Sequence, residues 1–339
     1  SWTLARILER ARRTRFGRDH GLEKVRTHAA FRRAVPLRHP HALDPWWIRA
    51  RQGEKDVVWP GHVARWVPLG RGPVPLTAAG LRSARASGWD AFVPLLADLR
   101  RDASEGCILL LGSTHPLPRR AVLWTSGGSR PSTLQLPAGL ARRARTTSSA
   151  RDGGDVHGVR SCIGRDVRVL LGKPAHVDRF AADLLAHGRR LGLGHRSLTD
   201  LWPDLEILDV GPDLRRAAPR VDGGARQPNR RQVLSVLEVG AVAMQDRLDD
   251  LGLLPIPDRG VFFEFIPYGE EEGPEPRRLG LHEVEPDTDY AVAVTTNNGA
   301  YACLTGYVVR FPDVRSRRLV VVERPVESRR GDLPAALSA

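Results

Sequence analysis

The side chains able to do chemistry are spread unevenly along the 339 residues. His157, His176, His195 and His282 are candidate bases or metal ligands, but none of these four sits in an H-x-H or H-x-x-x-H pair. Each therefore reads as a surface or supporting residue. Cys107, Cys162 and Cys303 lie far apart, with neither disulfide nor zinc spacing, so no metal site is expected. The carboxylate run Glu270–Glu272 reads as a solvated hairpin loop, whereas Glu264 stands alone inside the apolar run Val261–Ile266. Two glycine-bearing stretches have the makings of an anion cradle, since backbone N–H groups in such loops can converge on a phosphate. One is Gly70-Arg71-Gly72, which is too short to wrap an anion; the other, TSGGSRPS at 125–132, reads as a connection.

The elements that must position these residues follow from periodicity. Ser1–Arg13 predicts a basic amphipathic helix with Leu4, Ile7 and Leu8 on one side, and Leu81–Leu99 a second helix. Cys107–Gly112 reads as a buried strand of four consecutive aliphatics, Val167–Gly172 as a strand, and the residues after Lys173-Pro174 as a helix to about Arg190 with Phe180, Leu184 and Leu185 inward. Toward the C-terminal end four strands are expected: Val261–Ile266, Leu279–Val284, Tyr290–Thr295 and Tyr307–Phe311. The first is expected to be a central strand, covered on both faces so that Phe262, Phe263 and Phe265 all leave water. Asn297, Asn298 and Gly299 are suited to a turn with positive φ. The Arg/Ser/Gly-rich segment 141–158 is expected to be a mobile surface segment, 212–228 a polar loop and 325–339 a disordered tail.

Several ordered stretches carry a resemblance. Thr14–Gly21 (TRFGRDHG), Gly53–Gly61 (GEKDVVWPG), Leu198–Val210 (LTDLWPDLEILDV), Gly260–Pro267 (GVFFEFIP), Leu281–Pro286, Tyr290–Gly299 and Gly306–Phe311 occur in that order. Together they resemble the acyl-acid amido synthetases of the auxin-responsive promoter family, a branch of the acyl-adenylate-forming superfamily. The resemblance implies an α/β chain, the large N-terminal domain of that fold, with mixed sheets flanked by helices plus a β subdomain, over residues 1–324. It further implies an ATP-dependent ligase joining a carboxylic acid to an amino acid through an acyl-adenylate, with ATP and Mg as cofactors.

The chain departs from the family at the positions that carry that chemistry. The family's Ser/Thr-rich phosphate loop and its lysine would fall within Trp66–Thr77; here only Gly70, Arg71, Gly72 and Thr77 remain. The family's tyrosine and its metal-holding glutamate map to Ser235 and Val239; Gly240, Ala243 and Gln245 survive, and Glu238 stands one position early, on the other face of a strand. In the R-x-R-x-GD element the arginine and aspartate positions become Leu304 and Tyr307. A phenol cannot accept two hydrogen bonds from a ribose diol as a carboxylate does. Family members also continue into a small C-terminal domain, expected to be absent here because only a short tail follows Leu319–Arg324. These departures predict a relative that has lost adenylation, with no cofactor, and that serves as a ligand-binding or partner subunit. A small carboxylic acid or amine would be its ligand, and a protein partner or a second copy would cover the face left by the absent domain. An acid–amine ligase working by an altered route, or with a partner supplying the missing domain, is the alternative.

Composition adds little to this. The net charge of +13 would ordinarily raise nucleic acid as a partner. Only three lysines are present (Lys24, Lys55, Lys173), and the arginines are scattered, in line with a GC-rich coding bias. No aromatic-interleaved basic motif supports nucleic-acid binding. The basic N-terminus lacks an apolar signal core and no membrane-spanning run occurs, so a cytoplasmic protein is expected.

Overall fold

The computed structural model describes residues 1–69, 72–98, 107–111, 122–124, 133–135, 144–147, 162–172, 174–210, 229–236, 240–247 and 252–323. The loops expected at 125–132 and 212–228 and the tail at 325–339 lie outside these residues. The chain divides into two compact units, one formed by Ser1–Ala86, Val236–Val242 and Leu254–Ala339, the other by Ser87–Ser235 and Ala243–Leu253.

Leu4, Ile7, Leu8 and Ala11 recur at the spacing of one helical face, and α1 (Trp2–Ala11) buries all four. The hydroxyl of Thr14 then accepts from the Gly17 N–H at 3.0 Å and caps α2 (Arg15–Asp19). A Cβ at Gly17 would stand 2.1 Å from the Ala11 carbonyl oxygen, so this crossing admits no side chain. Thr27 caps α3 (His28–Ala34) in the same way, and a proline in the first turn opens α4 (Asp44–Arg51). β1 (Arg65–Leu69) and β2 (Gly72–Leu76) form an antiparallel hairpin in which Leu69 faces Gly72. The stretch in which the resemblance places a phosphate loop is thus strand up to Leu69 and again from Gly72. α5 (Ala78–Asp98) begins in the first unit and runs on into the second.

The second unit is built on parallel strands. β3 (Cys107–Leu111), β6 (Ala144–Thr147), β7 (Val167–Gly172), β8 (Glu206–Val210) and β9 (Asn229–Val236) lie side by side in the order β9-β8-β7-β3-β6. Each neighbouring pair is parallel. β4 (Val122–Trp124) and β5 (Thr133–Gln135) form a separate antiparallel pair. Every residue of β7 is buried, as a parallel strand covered on both faces must be, and Arg168 is accommodated by pairing with Asp166 at 2.7 Å. α6 (Pro174–Arg190) packs Val177, Phe180, Ala181 and Leu184 into the same cluster as Val167, Leu170 and Trp202. Trp202 follows α7 (Leu198–Leu201), whose start is fixed by a capping box between Ser197 and Asp200. One expectation is corrected: residues 144–147 of the supposed mobile segment 141–158 are β6, at the edge of this sheet. Pairing with β3 gives these polar residues a ladder that composition could not foretell.

β10 (Gly240–Met244) and β11 (Leu254–Pro255) follow, and Ile256 N–H donates to the Val242 carbonyl at 2.8 Å. The first unit then closes with an antiparallel sheet of β12 (Val261–Pro267), β13 (Asp289–Thr296), β14 (Cys303–Asp313) and β15 (Arg318–Glu323), in that order. Two expectations fail here. Leu279–Val284 is no strand; it contributes a single bridge, Leu279 opposite Phe265, and then turns. β12 is the first strand of its sheet rather than a central one: Phe262 and Phe265 are buried at 7% and 1% exposure, while Phe263 is only half-buried. Among the described residues no helix is long and apolar enough to cross a membrane.

Candidate functional site

Three of the positions singled out in the sequence meet in the first unit, around the turn between β13 and β14. Thr296 N–H donates to the Ala300 carbonyl at 2.7 Å, and Gly299 takes φ +86°. A Cβ on Gly299 would lie 2.6 Å from the Val58 side chain, so both the φ and the packing require glycine there. The two asparagines of the turn grip the start of α5. The Asn298 carboxamide oxygen accepts from Thr77 N–H at 2.9 Å, and the Asn297 carboxamide donates to the Ser83 hydroxyl at 2.8 Å. An added Cβ on Gly80 would come within 1.7 Å of Asn298, and one on Gly260 within 2.1 Å of Asn297.

Thr77, expected from the resemblance to be left over from a phosphate loop, is 1% exposed. Its hydroxyl donates to the Asn297 carbonyl at 2.7 Å and accepts from Gly80 N–H at 2.9 Å. It is therefore the N-cap of α5 and a strut to the turn. Of its companions, Gly72 opens β2, and Gly70 and Arg71 lie outside the described residues. Gly240 opens β10 with φ +93°, while Val239 lies outside the described residues.

Leu304 and Tyr307 sit on β14, where the ladder is irregular. Ala293 pairs with Leu304 and Ala291 with Val308, so Thr305, Gly306 and Tyr307 together face the single residue Val292. The Thr305 hydroxyl donates to the Val292 carbonyl at 2.8 Å and accepts from Tyr307 N–H at 3.2 Å, while Gly306 adopts φ +78°. Such a bulge re-aims a side chain out of the alternation of its strand, and here the re-aimed residue is a half-buried Tyr307. Leu304 points elsewhere. It is buried in an apolar cluster with Ile266, Ala291 and Ala293, against Leu37.

A buried ion cluster nearby received no role from the sequence. Glu264, fully buried on β12, accepts from Arg278 Nε at 3.0 Å and Nη2 at 2.7 Å, and its Oε1 lies 2.7 Å from His28 Nε2. Arg278 also donates to the carbonyls of Val35 (2.6 Å) and Arg32 (3.3 Å). Burial pushes the Glu264 carboxyl upward, but the His28 hydrogen bond and the Arg278 charge outweigh it and hold the group below the usual glutamate range. The signal was present: a lone carboxylate in an apolar strand must find partners, although these lie 236 positions upstream and 14 downstream. Another cation, the half-buried Arg38, lies over the rings of Phe16 and Trp46 and donates to His20 Nε2 at 3.2 Å. His20 Nδ1 donates to the Phe16 carbonyl at 2.9 Å, which leaves Nε2 as the acceptor. Burial, followed by the Arg38 charge, lowers the His20 pKa and keeps the ring neutral; the Phe16 carbonyl and Asp19 act in the opposite sense.

The histidine pair at His39 and His41 was passed over in the sequence. The two rings stack at 5.7 Å, and His39 Nε2 lies 2.8 Å from Glu272 on the surface. Among the described residues no group of three or more His, Cys, Asp or Glu side chains is placed to hold a metal ion.

Comparison with known proteins bears on this arrangement. Residues 1–67 match the GH3 family N-terminal domain and residues 254–324 the GH3 family central domain. No curated protein sequence matches the chain. Among solved structures, the chain is similar to a GH3.15 acyl acid amido synthetase, with a TM-score of 0.66 and 17% identity over 96% of this chain and 68% of the other. It is similar also to AtGH3.15 acyl acid amido synthetase in complex with 2,4-DB (0.64, 16%, 95% and 67%). An open conformation of 2-hydroxyisobutyryl-CoA ligase, in complex with 2-HIB-AMP and CoA, aligns with a TM-score of 0.61 and 12% identity over 96% of this chain and 72% of the other. At such identities the likeness is one of fold: a mixed α/β architecture matching the N-terminal domain of adenylate-forming enzymes.

Proposed function

From the matches of residues 1–67 and 254–324 to the GH3 family domains, and from the fold, we propose that the chain is a non-adenylating relative of the GH3 acyl-adenylate-forming proteins. It would serve as a ligand-binding or partner subunit, with a small carboxylic acid or amine as the ligand. The observation that carries this reading is the pair on β14. At the positions where the family pattern calls for an arginine and a ribose-binding aspartate, Leu304 is buried in an apolar cluster and a phenol occupies the bulge. Neither offers a charge to a phosphate or two acceptors to a diol. Thr77 adds to the argument, because both hydrogen-bonding roles of its hydroxyl are committed within the fold. These residues do not fit Mg-ATP, and no adenylation step is derived for them. Charge-assisted bonds contribute about 1.5–3 kcal/mol each, so losing three or more would take a micromolar site to about the millimolar range.

The test is acid-dependent exchange of labelled pyrophosphate into ATP, over a panel of carboxylic acids with and without amino acids. Background-level exchange is expected throughout. Exchange stimulated by any acid would overturn the reading and favour an acid–amine ligase by an altered route, which the fold similarity to ligases also supports.

A further inference from the structure

The arginine excess dismissed above as scattered is, at one place, concentrated by the fold. Arg12 and Arg13 follow from the end of α1, Arg18 lies on α2, and Arg26 follows the short turn of helix at Leu22–Lys24. With Glu23, these four arginines line one open depression of about 390 Å³ in the first unit. Arg13, Arg18 and Arg26 are exposed, and Arg12 is half-buried with its Nη2 2.6 Å from Glu9. Two members are already oriented by backbone acceptors: Arg18 Nη1 donates to the Arg13 carbonyl at 2.7 Å and Arg26 Nη1 to the Val25 carbonyl at 3.0 Å. Four positive groups against Glu23 in the lining and Glu9, the ion-pair partner of Arg12, leave a local positive excess, whose mutual repulsion a bound polyanion would relieve. Guanidinium forks match phosphate oxygens in pairs, which distinguishes this cradle from a cluster of lysines.

The geometry points to a binding site for a small ligand bearing two or more phosphoryl groups, held by Arg12, Arg13, Arg18 and Arg26. The depression is the size of a small molecule, and its four arginines gather at one place instead of tracking along a groove as a nucleic-acid backbone would require. The site is independent of the non-adenylating reading, because none of its residues belongs to the positions discussed there.

Calorimetry with tripolyphosphate and with orthophosphate, at low and at moderate salt, tests it. Tripolyphosphate is expected to bind at least about tenfold tighter than orthophosphate and to weaken several-fold as screening shortens from ~14 to ~7 Å. Arg13→Gln with Arg26→Gln is expected to lower the affinity by about tenfold or more, equal to about 1.4 kcal/mol. Arg51→Gln, an exposed arginine away from the depression, should leave it unchanged. Glu23→Gln should tighten binding, which keeps the proposal testable even if the double variant misfolds. Absence of tripolyphosphate binding, equal losses in the Arg51→Gln and cradle variants, or an unresponsive Glu23→Gln protein would each overturn the assignment. A single-stranded oligonucleotide binding more tightly than tripolyphosphate would also overturn it, in favour of a nucleic-acid surface. If ATP binds through its phosphates here, the cradle double variant abolishes that binding. Acid-dependent exchange, the failure of the other reading, would survive the same change.

Discussion

Replacing Arg278 with methionine removes the cation that makes a buried Glu264 tolerable. Arg278 gives two hydrogen bonds to that carboxylate, at 3.0 and 2.7 Å, and one to the Val35 carbonyl at 2.6 Å, and its guanidinium lies 5.3 Å from the Phe31 ring centre. Methionine restores much of the apolar stem but leaves a fully buried carboxylate with His28 as its remaining side-chain partner. Removing one member of a buried pair costs about 3–5 kcal/mol, and that loss is expected at neutral pH. The pH dependence is also fixed in sign. In the parent the Glu264 pKa is depressed, so the carboxylate's contribution is present above the ordinary glutamate value and is lost as pH falls through the folded one. Without Arg278, burial dominates and the folded pKa rises. The variant's deficit is then widest near pH ~7.5 and narrows toward pH ~4.5, as the carboxylate takes up a proton. Urea unfolding followed by tryptophan fluorescence at several pH values measures both quantities, with the transition of the first unit as the readout. A second variant, Glu264→Leu with Arg278→Met, should recover more than half of the loss, since it buries no unpaired charge. A deficit below about 1 kcal/mol, or one equal at both pH values, would refute the reasoning.

Further predictions concern packing and the turn. Phe265→Ala should cost about 3–5 kcal/mol because the ring is buried against Tyr290 and Phe311, whereas the half-buried Phe263 should cost clearly less on the same truncation. Equal urea midpoint shifts for the two would contradict the placement of β12 at its sheet's edge. Thr77→Val keeps the shape but removes the cap of α5 and the bond to Asn297, so a loss of about 1–2 kcal/mol in thermal or urea unfolding is expected. An unchanged midpoint would mean that the hydroxyl is available to a ligand after all.

The sequence alone determined the elements whose stability is local or whose pattern is extreme. The apolar face of α1, the aliphatic run of β3 and the α6 helix read correctly because a period of 3.6 residues, or an uninterrupted aliphatic run, admits few other structures. The turn at Asn297–Gly299 was legible from its residue types and the GVFFEFIP strand from its apolar run, and the ordered motifs carried the fold and the resemblance to GH3 domains at residues 1–67 and 254–324. Tertiary structure decided what depends on distant partners. Residues 144–147 have no pattern of their own and become strand only because β3 offers a free ladder edge, while Leu279–Val284 has a strand-like pattern but just one residue in register. Glu264 required Arg278 and His28 from elsewhere in the chain, and Thr77 turned from a candidate ligand contact into a helix cap once Asn297 and Gly80 closed around it. The arginines of the N-terminal segment follow no pattern along the chain, yet two helices and a turn bring four of them to the lining of one depression. Linear order records which side chains are present; only the crossing of elements fixes which of their charges and hydroxyls are already spent on the fold and which still face a ligand.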